Sequence, residues 1–302
     1  MKQPKSFILI LAVIAGFFWG SVGPFVRYMS GLGISSLSIL ASRVLVAALL
    51  LGLGMLIVNR TWLKIKRKDL WVFAVAAIVG MLGLNICYNE AISYVPLSLA
   101  AILLGLYPIF VMILAAIIFK EKITRRKIFC MALALTGCVL ASGLLEVGQT
   151  SFSAYGVAVG FVSAIFYAFY SIMSKVAMQR GYNVFTVTFY ALLIMGIALI
   201  PFTDWPALSG FVAAAPGKHT IFMIGHSACA SILPYILFTL SLRYADAGKT
   251  SILAAGSEPI GALICGLLLY NEVPTPLALL GMVITIVALA LVGMAEKPKK
   301  KT

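Results

Sequence analysis

YPIFVMILAAIIFKEKITRRK, residues 107–127, and EPIGALICGLLLYNEVPTPLA, residues 258–278, read as one passage written twice. Setting Pro108 on Pro259 brings Glu121 onto Glu272 and Thr124 onto Thr275. A spacing only a few residues different puts Trp19-Gly20 on Tyr167-Ala168 and Arg27 on Lys175. The copies differ in charge. The first runs Lys120-Glu121-Lys122 into Arg125, Arg126 and Lys127, whereas the second reads Asn271-Glu272-Val273 with no positive charge nearby. A repeat unit with an odd number of spans inserts upside down, and the positive-inside rule then strips basic residues from one copy. Inverted pairs of this kind recur in secondary transporters. The expected fold class is an all-α membrane protein of ten transmembrane helices in two inverted five-helix repeats, residues 1–146 and 147–302, the second ending in a basic tail.

Composition agrees. The chain is 62% hydrophobic and 11% charged, with mean hydropathy +1.08, far from soluble usage. Apolar segments near the ~20 residues that cross a bilayer fall at 7–28, 35–58, 70–94, 97–119, 127–145, 153–175, 183–203, 219–242, 249–271 and 275–295. None alternates with period two, which argues against a barrel. The net charge of +14 does not signal nucleic acid, because 20 of the 23 Lys and Arg fall in loops and tails on one side. Those on the other side or within a span are Arg27, Arg43 and Lys218. Both termini are therefore expected in the cytoplasm, in a bacterial plasma membrane, with the basic loops held against anionic lipid. The first segment resembles a secretory signal but has a counterpart at 153–175, so it is expected to stay uncleaved. Cys87, Cys130, Cys138, Cys229 and Cys265 lie inside spans without paired spacing, and the sequence implies no metal, cofactor or nucleotide site.

Polar groups inside the spans carry the functional signal. Arg43 is expected roughly 12 Å below one surface and Glu258 roughly 13–14 Å from the other, at 1.5 Å per residue. Each costs about 2.5–3.5 kcal/mol against lipid, so each should face a partner or a wet cavity. A substrate or proton site accounts for them, and so does a structural ion pair. Asn85 and Asn89, with Tyr88 between, share a helix face, and the repeat sets Tyr235 and Thr239 opposite them. Trp19, Tyr167 and Tyr170 lie deep, away from the interfacial belt, and suit an amphipathic solute or plain packing. His226 is either a proton shuttle or a satisfied core histidine. Tyr107-Pro108 and Glu258-Pro259 predict breaks at equal depth in both copies. Gly16/Gly20 and Gly156/Gly160 have the spacing of close helix packing.

Phe18-Trp19-Gly20-Ser21, Ser42-Arg43-Val44, Tyr107-Pro108 with Lys120-Glu121, and Glu258-Pro259 with Asn271-Glu272 resemble the drug/metabolite transporter superfamily, specifically its EamA-type exporters. The resemblance spans nearly the whole chain. It implies alternating-access export of small metabolites such as amino acids, with no enzymatic activity, by a monomer or homodimer. Glu121 and Glu272 are then caps or loop anchors. The small four-helix relatives keep an acid in their first helix, and 7–28 here has none, so a zwitterion or weak acid fits better than a pure cation. Proton coupling would fall to Glu258. A lipid flippase, a membrane enzyme or an uptake facilitator of the same fold are the alternatives.

Overall fold

A computed structural model describes residues 5–95, 97–142, 144–145, 153–271 and 273–293. Glu272 and the lysines of the C-terminal tail lie outside these. Among the described residues every regular element is helical. In chain order these are α1 (Ile8–Gly31), α2 (Ser36–Val58), α3 (Arg67–Ala91) and α4 (Leu99–Phe119). Then come α5 (Arg125–Ala141), α6 (Ala154–Gln179), α7 (Val184–Phe202) and the short α8 (Trp205–Ala214). The last are α9 (Pro216–Tyr244), α10 (Ala247–Tyr270) and α11 (Pro276–Gly293). Among the described residues nine of these are long and apolar enough to cross a membrane. The expected span 127–145 instead forms α5, a helix of 17 residues whose first turn is Arg125, Arg126 and Lys127.

Local sequence explains where the helices begin and end. Ser35, Thr124, Ser153, Asn183 and Asp246 each accept a hydrogen bond from a backbone N–H of the first turn they precede. Lys120 after α4 and Asn271 after α10 both adopt the left-handed conformation, at φ 54° and 52°, and close their helices there. These two residues are paired by the sequence repeat.

Small residues set the closest contacts. A methyl on Gly20 would lie 2.0 Å from the Glu258 carbonyl oxygen, and one on Gly16 2.1 Å from that of Ala254, so α1 packs on α10 backbone to backbone. Gly137 of α5 meets Gly281 and Thr285 of α11 in the same way. α6 and α7 are the most buried spans, and the core they anchor holds Tyr107, Tyr170, Phe238, Leu192 and Met195.

Two expectations change. The break at the proline occurs in one copy only: α4 is interrupted at Gly105-Leu106, just before Tyr107-Pro108, while α10 runs unbroken through Pro259. In α10 the Ser257 hydroxyl donates to the Leu253 and Ala254 carbonyls at 2.9 and 3.0 Å, while the proline withholds its donor from the Ala255 carbonyl and the helix continues. Lys175 is also no loop residue, because α6 continues past it to Gln179. Two π-helical turns, Val75–Leu82 in α3 and Ala228–Ile232 in α9, appear with no warning from the hydrophobic pattern.

Candidate functional site

A cavity of about 460 Å³ enters the bundle at the end opposite the basic loops. Its mouth carries the exposed residues Gly23, Arg27 and Ser36, and its far end stops on Tyr167 and Tyr235, each 5% exposed. α1, α2 and α3 supply most of the wall, with Leu104, Tyr167, Tyr235 and Glu258 from the helices behind. The π turn in α3 ends at Leu82, one turn before Asn85, Tyr88 and Asn89 reach the cavity. π turns favour such places because they shift the helix face that follows them.

The floor is aromatic. Trp19 packs edge-on against Tyr167, Tyr235 and Phe238, with ring centroids 5.8, 5.2 and 5.3 Å away. Tyr107 lies 4.0 Å from Tyr167 and donates its hydroxyl to the Ser251 carbonyl at 3.0 Å. The Tyr170 hydroxyl lies 3.3 Å from the Thr239 hydroxyl.

Eight of the eleven residues singled out from the sequence line this one space: Trp19, Arg43, Asn85, Tyr88, Asn89, Tyr167, Tyr235 and Glu258. Tyr107, Tyr170 and Thr239 do not reach it. They are at most 1% exposed and form the layer beneath the floor, their hydroxyls engaged with protein partners. Asn85 is partly engaged as well, its amide donating to the Met81 carbonyl at 2.7 Å.

The two charges in the cavity stand apart from each other. Among the described residues neither Arg43 nor Glu258 forms an ion pair, and the Arg43 Nε is buried without a hydrogen-bond partner. Tyr235 lies within electrostatic reach of both, and Tyr88, Tyr107 and Tyr167 within reach of Glu258. His226 is buried beside Arg43's field, its ring stacked on Phe25 at 5.0 Å. It is off the cavity, which speaks against the shuttle, and its Nε2 is buried without a hydrogen-bond partner, so it is not the satisfied core histidine expected either.

The opposite end is shut by residues whose sequence context marks them as loop charges or assigns them no role. Lys175 Nζ lies 2.6 Å from Glu121 Oε1 and donates to the Ala245 carbonyl at 2.8 Å. Both Glu121 oxygens accept from the Ala247 N–H that opens α10, at 3.1 and 3.0 Å. Beside them Lys127 Nζ is 2.6 Å from Asp246 Oδ2. Burial works to raise the Asp246 carboxyl, and the hydrogen bond and charge of Lys127 outweigh it, holding the group below its ordinary value. Glu121 is thus a cap, as expected, but for a helix of the other half. The expected role of Lys127 and Lys175 against lipid is corrected: at 6% and 8% exposed they are buried clamps. The signal for them is the pairing of acids with bases at helix ends, visible only once α6 is known to run on to Gln179. Arg180 and Tyr182 hold Asp69 nearby, and the shallow surface hollows at this end are lined by loop and helix-end residues. No cluster of metal-ligating side chains occurs among the described residues.

Comparison with known proteins adds the following. The model of the EamA-like transporter family matches this chain twice, over residues 6–143 and 154–294. The chain is 27% identical over 299 residues to a probable terminal-alkyne amino-acid exporter of Streptantibioticus cattleyicolor, covering 97% of this chain and 95% of that protein. It is 25% identical over 292 residues to the pseudopaline exporter CntI of Pseudomonas aeruginosa, covering 96% of each. A crystal structure 14% identical in sequence superposes with a TM-score of 0.77 over 95% of this chain and 96% of that one, a likeness of fold.

Proposed function

This chain belongs to the EamA-like transporter family, and from that premise we propose that it is a secondary exporter of amino-acid-like metabolites working by alternating access. One observation carries the reading. A cavity with charges at mid-depth opens to one end only, while buried ion pairs close the other. An open channel would need both ends open, and the named relatives are exporters rather than enzymes.

The double family match and the paired left-handed caps at Lys120 and Asn271 support two inverted halves. The basic end is then cytoplasmic, both termini with it, and the structure is outward-facing in the bacterial inner membrane. To load substrate from inside, the halves rock, the Lys175–Glu121 and Lys127–Asp246 pairs part, and the mouth near Arg27 closes. Glu258 is the acid that lines the cavity, which makes it the proton acceptor if export runs against proton entry. The names of the two exporters above support a substrate of amino-acid type.

The test is untargeted metabolite profiling of medium from cells expressing the wild type or Arg43→Ala. Enrichment of an amino-acid-like class by the wild type, lost in the variant, is the expected result. Folded wild-type protein in the membrane with no class enriched would sink the export reading.

A further inference from the structure

Among the described residues the other buried Lys and Asp or Glu side chains are matched. Lys175 meets Glu121, Lys127 meets Asp246, and Arg180 meets Asp69. Arg43 on α2 and Glu258 on α10 break that pattern: both line the cavity, one from each half of the chain, and neither forms an ion pair among the described residues.

We propose that the cavity takes a zwitterion with an apolar body, its carboxylate on the Arg43 guanidinium and its ammonium on the Glu258 carboxylate. The claim rests on the transport reading for what the ligand is for, and on the geometry for what the ligand is. The guanidinium fork is shaped for a carboxylate. Glu258 lies among tyrosines and, once ionised, supplies the charge an ammonium needs. Around this head-group site most of the wall is apolar, with Val22, Val26, Ile39, Leu40 and Leu84 beside Asn85, Tyr88 and Asn89 and with Trp19 at the floor, so the body of the ligand is mainly apolar or aromatic. The volume, about 460 Å³, falls among small-molecule sites.

Charge balance gives the selectivity. When the cavity closes and water leaves, a simple anion neutralises Arg43 and strands Glu258, while a simple cation does the reverse. A zwitterion leaves neither charge alone. It also ties the two halves together, because its ends are held by helices from different copies. An amino acid blocked at one end therefore binds more weakly, by roughly 30-fold or more, the lower end of the penalty for removing one partner of a buried charge pair.

The experiment measures ligand-induced thermal stabilisation of the purified protein. The probes are L-leucine, L-methionine and L-phenylalanine, each compared with its N-acetyl and amide derivatives. The free amino acids should stabilise the wild type and the blocked forms should not. In Glu258→Gln the stranded acid is gone, so the N-acetyl form should bind as well as the free amino acid. In Arg43→Gln the amide should do so. A misfolded variant cannot produce this exchange of preference. Blocked and free forms binding the wild type equally, or variants keeping the wild-type preference, would overturn the proposal. So would no shift with any of the three amino acids at tens of millimolar. Efflux of another class in the profiling experiment would then leave the export reading standing.

Discussion

At the basic end Lys175 and Glu121 lie 2.6 Å apart with side chains 10% and 13% exposed, whereas Arg43 and Glu258 face one cavity without pairing. The groups are chemically alike; their surroundings differ. At the basic end each charge has further hydrogen bonds: Ala245 and Ala247 backbone groups to Lys175 and Glu121, and Lys122 and Lys249 backbone groups to Lys127 and Asp246. That is the condition under which a buried pair can offset its desolvation. At the cavity no ion pair completes the set among the described residues. One end is built as a latch, and the other keeps the two charges on which the proposed zwitterion site rests.

The largest expected effect breaks the latch. Lys175→Met leaves Glu121 buried with only backbone donors and should lower stability by about 3–5 kcal/mol, measured by thermal or chemical unfolding in detergent. Adding Glu121→Gln removes the stranded charge while keeping an acceptor for the Ala247 N–H, and should recover most of the loss. If the double variant is no better than the single, the pair is not a matched charge set. Next comes Asp246→Asn, at a residue that is itself partly solvated and whose buried partner Lys127 keeps the Lys122 carbonyl, at about 1–3 kcal/mol. The Asp246 carboxyl is held below its unfolded value of about 3.9, so its contribution is complete above that pH and lost as pH falls through the folded value. The stability difference between wild type and Asp246→Asn should therefore be constant from about pH 5 to 8 and shrink below about pH 4. A difference that vanishes near neutral pH would contradict this.

Arg43→Gln sharpens the contrast from the other side. With no partner to strand, it should change stability by less than about 1 kcal/mol while transport falls sharply, read as unfolding midpoint beside efflux rate. A loss as large as that of Lys175→Met would make Arg43 a structural residue. Smallest of all is Arg180→Met. Arg180 is partly solvated and Asp69 keeps its 2.7 Å hydrogen bond from Tyr182, so the melting temperature should stay within experimental scatter.

The sequence revealed the spans because an uninterrupted apolar run of ~20 residues matches the thickness of a bilayer and little else. It also revealed most of the cavity, since Arg43, Glu258, Asn85 and Asn89 are too polar to face lipid. It failed on depth and on helix ends. Tyr107, Tyr170 and Thr239 carry the same polar tips as the true lining, and nothing in their spacing says that they lie one layer lower. Lys175 is hidden because a basic residue at the edge of an apolar run looks like a loop charge until the helix is seen to continue. Tyr107-Pro108 and Glu258-Pro259 look equivalent, yet one helix is interrupted at Gly105-Leu106 just before its proline and the other runs on through it.

The π turn at Val75–Leu82 has a further consequence. It holds about one residue more than regular winding, so the same sequence rewound as continuous α-helix would carry everything beyond it round by about 100°. Asn85, Tyr88 and Asn89 would swing away from the cavity together, although no side chain had been exchanged. The polar face of the cavity can therefore be turned by rewinding one helix, a change that a comparison of side chains alone would not register.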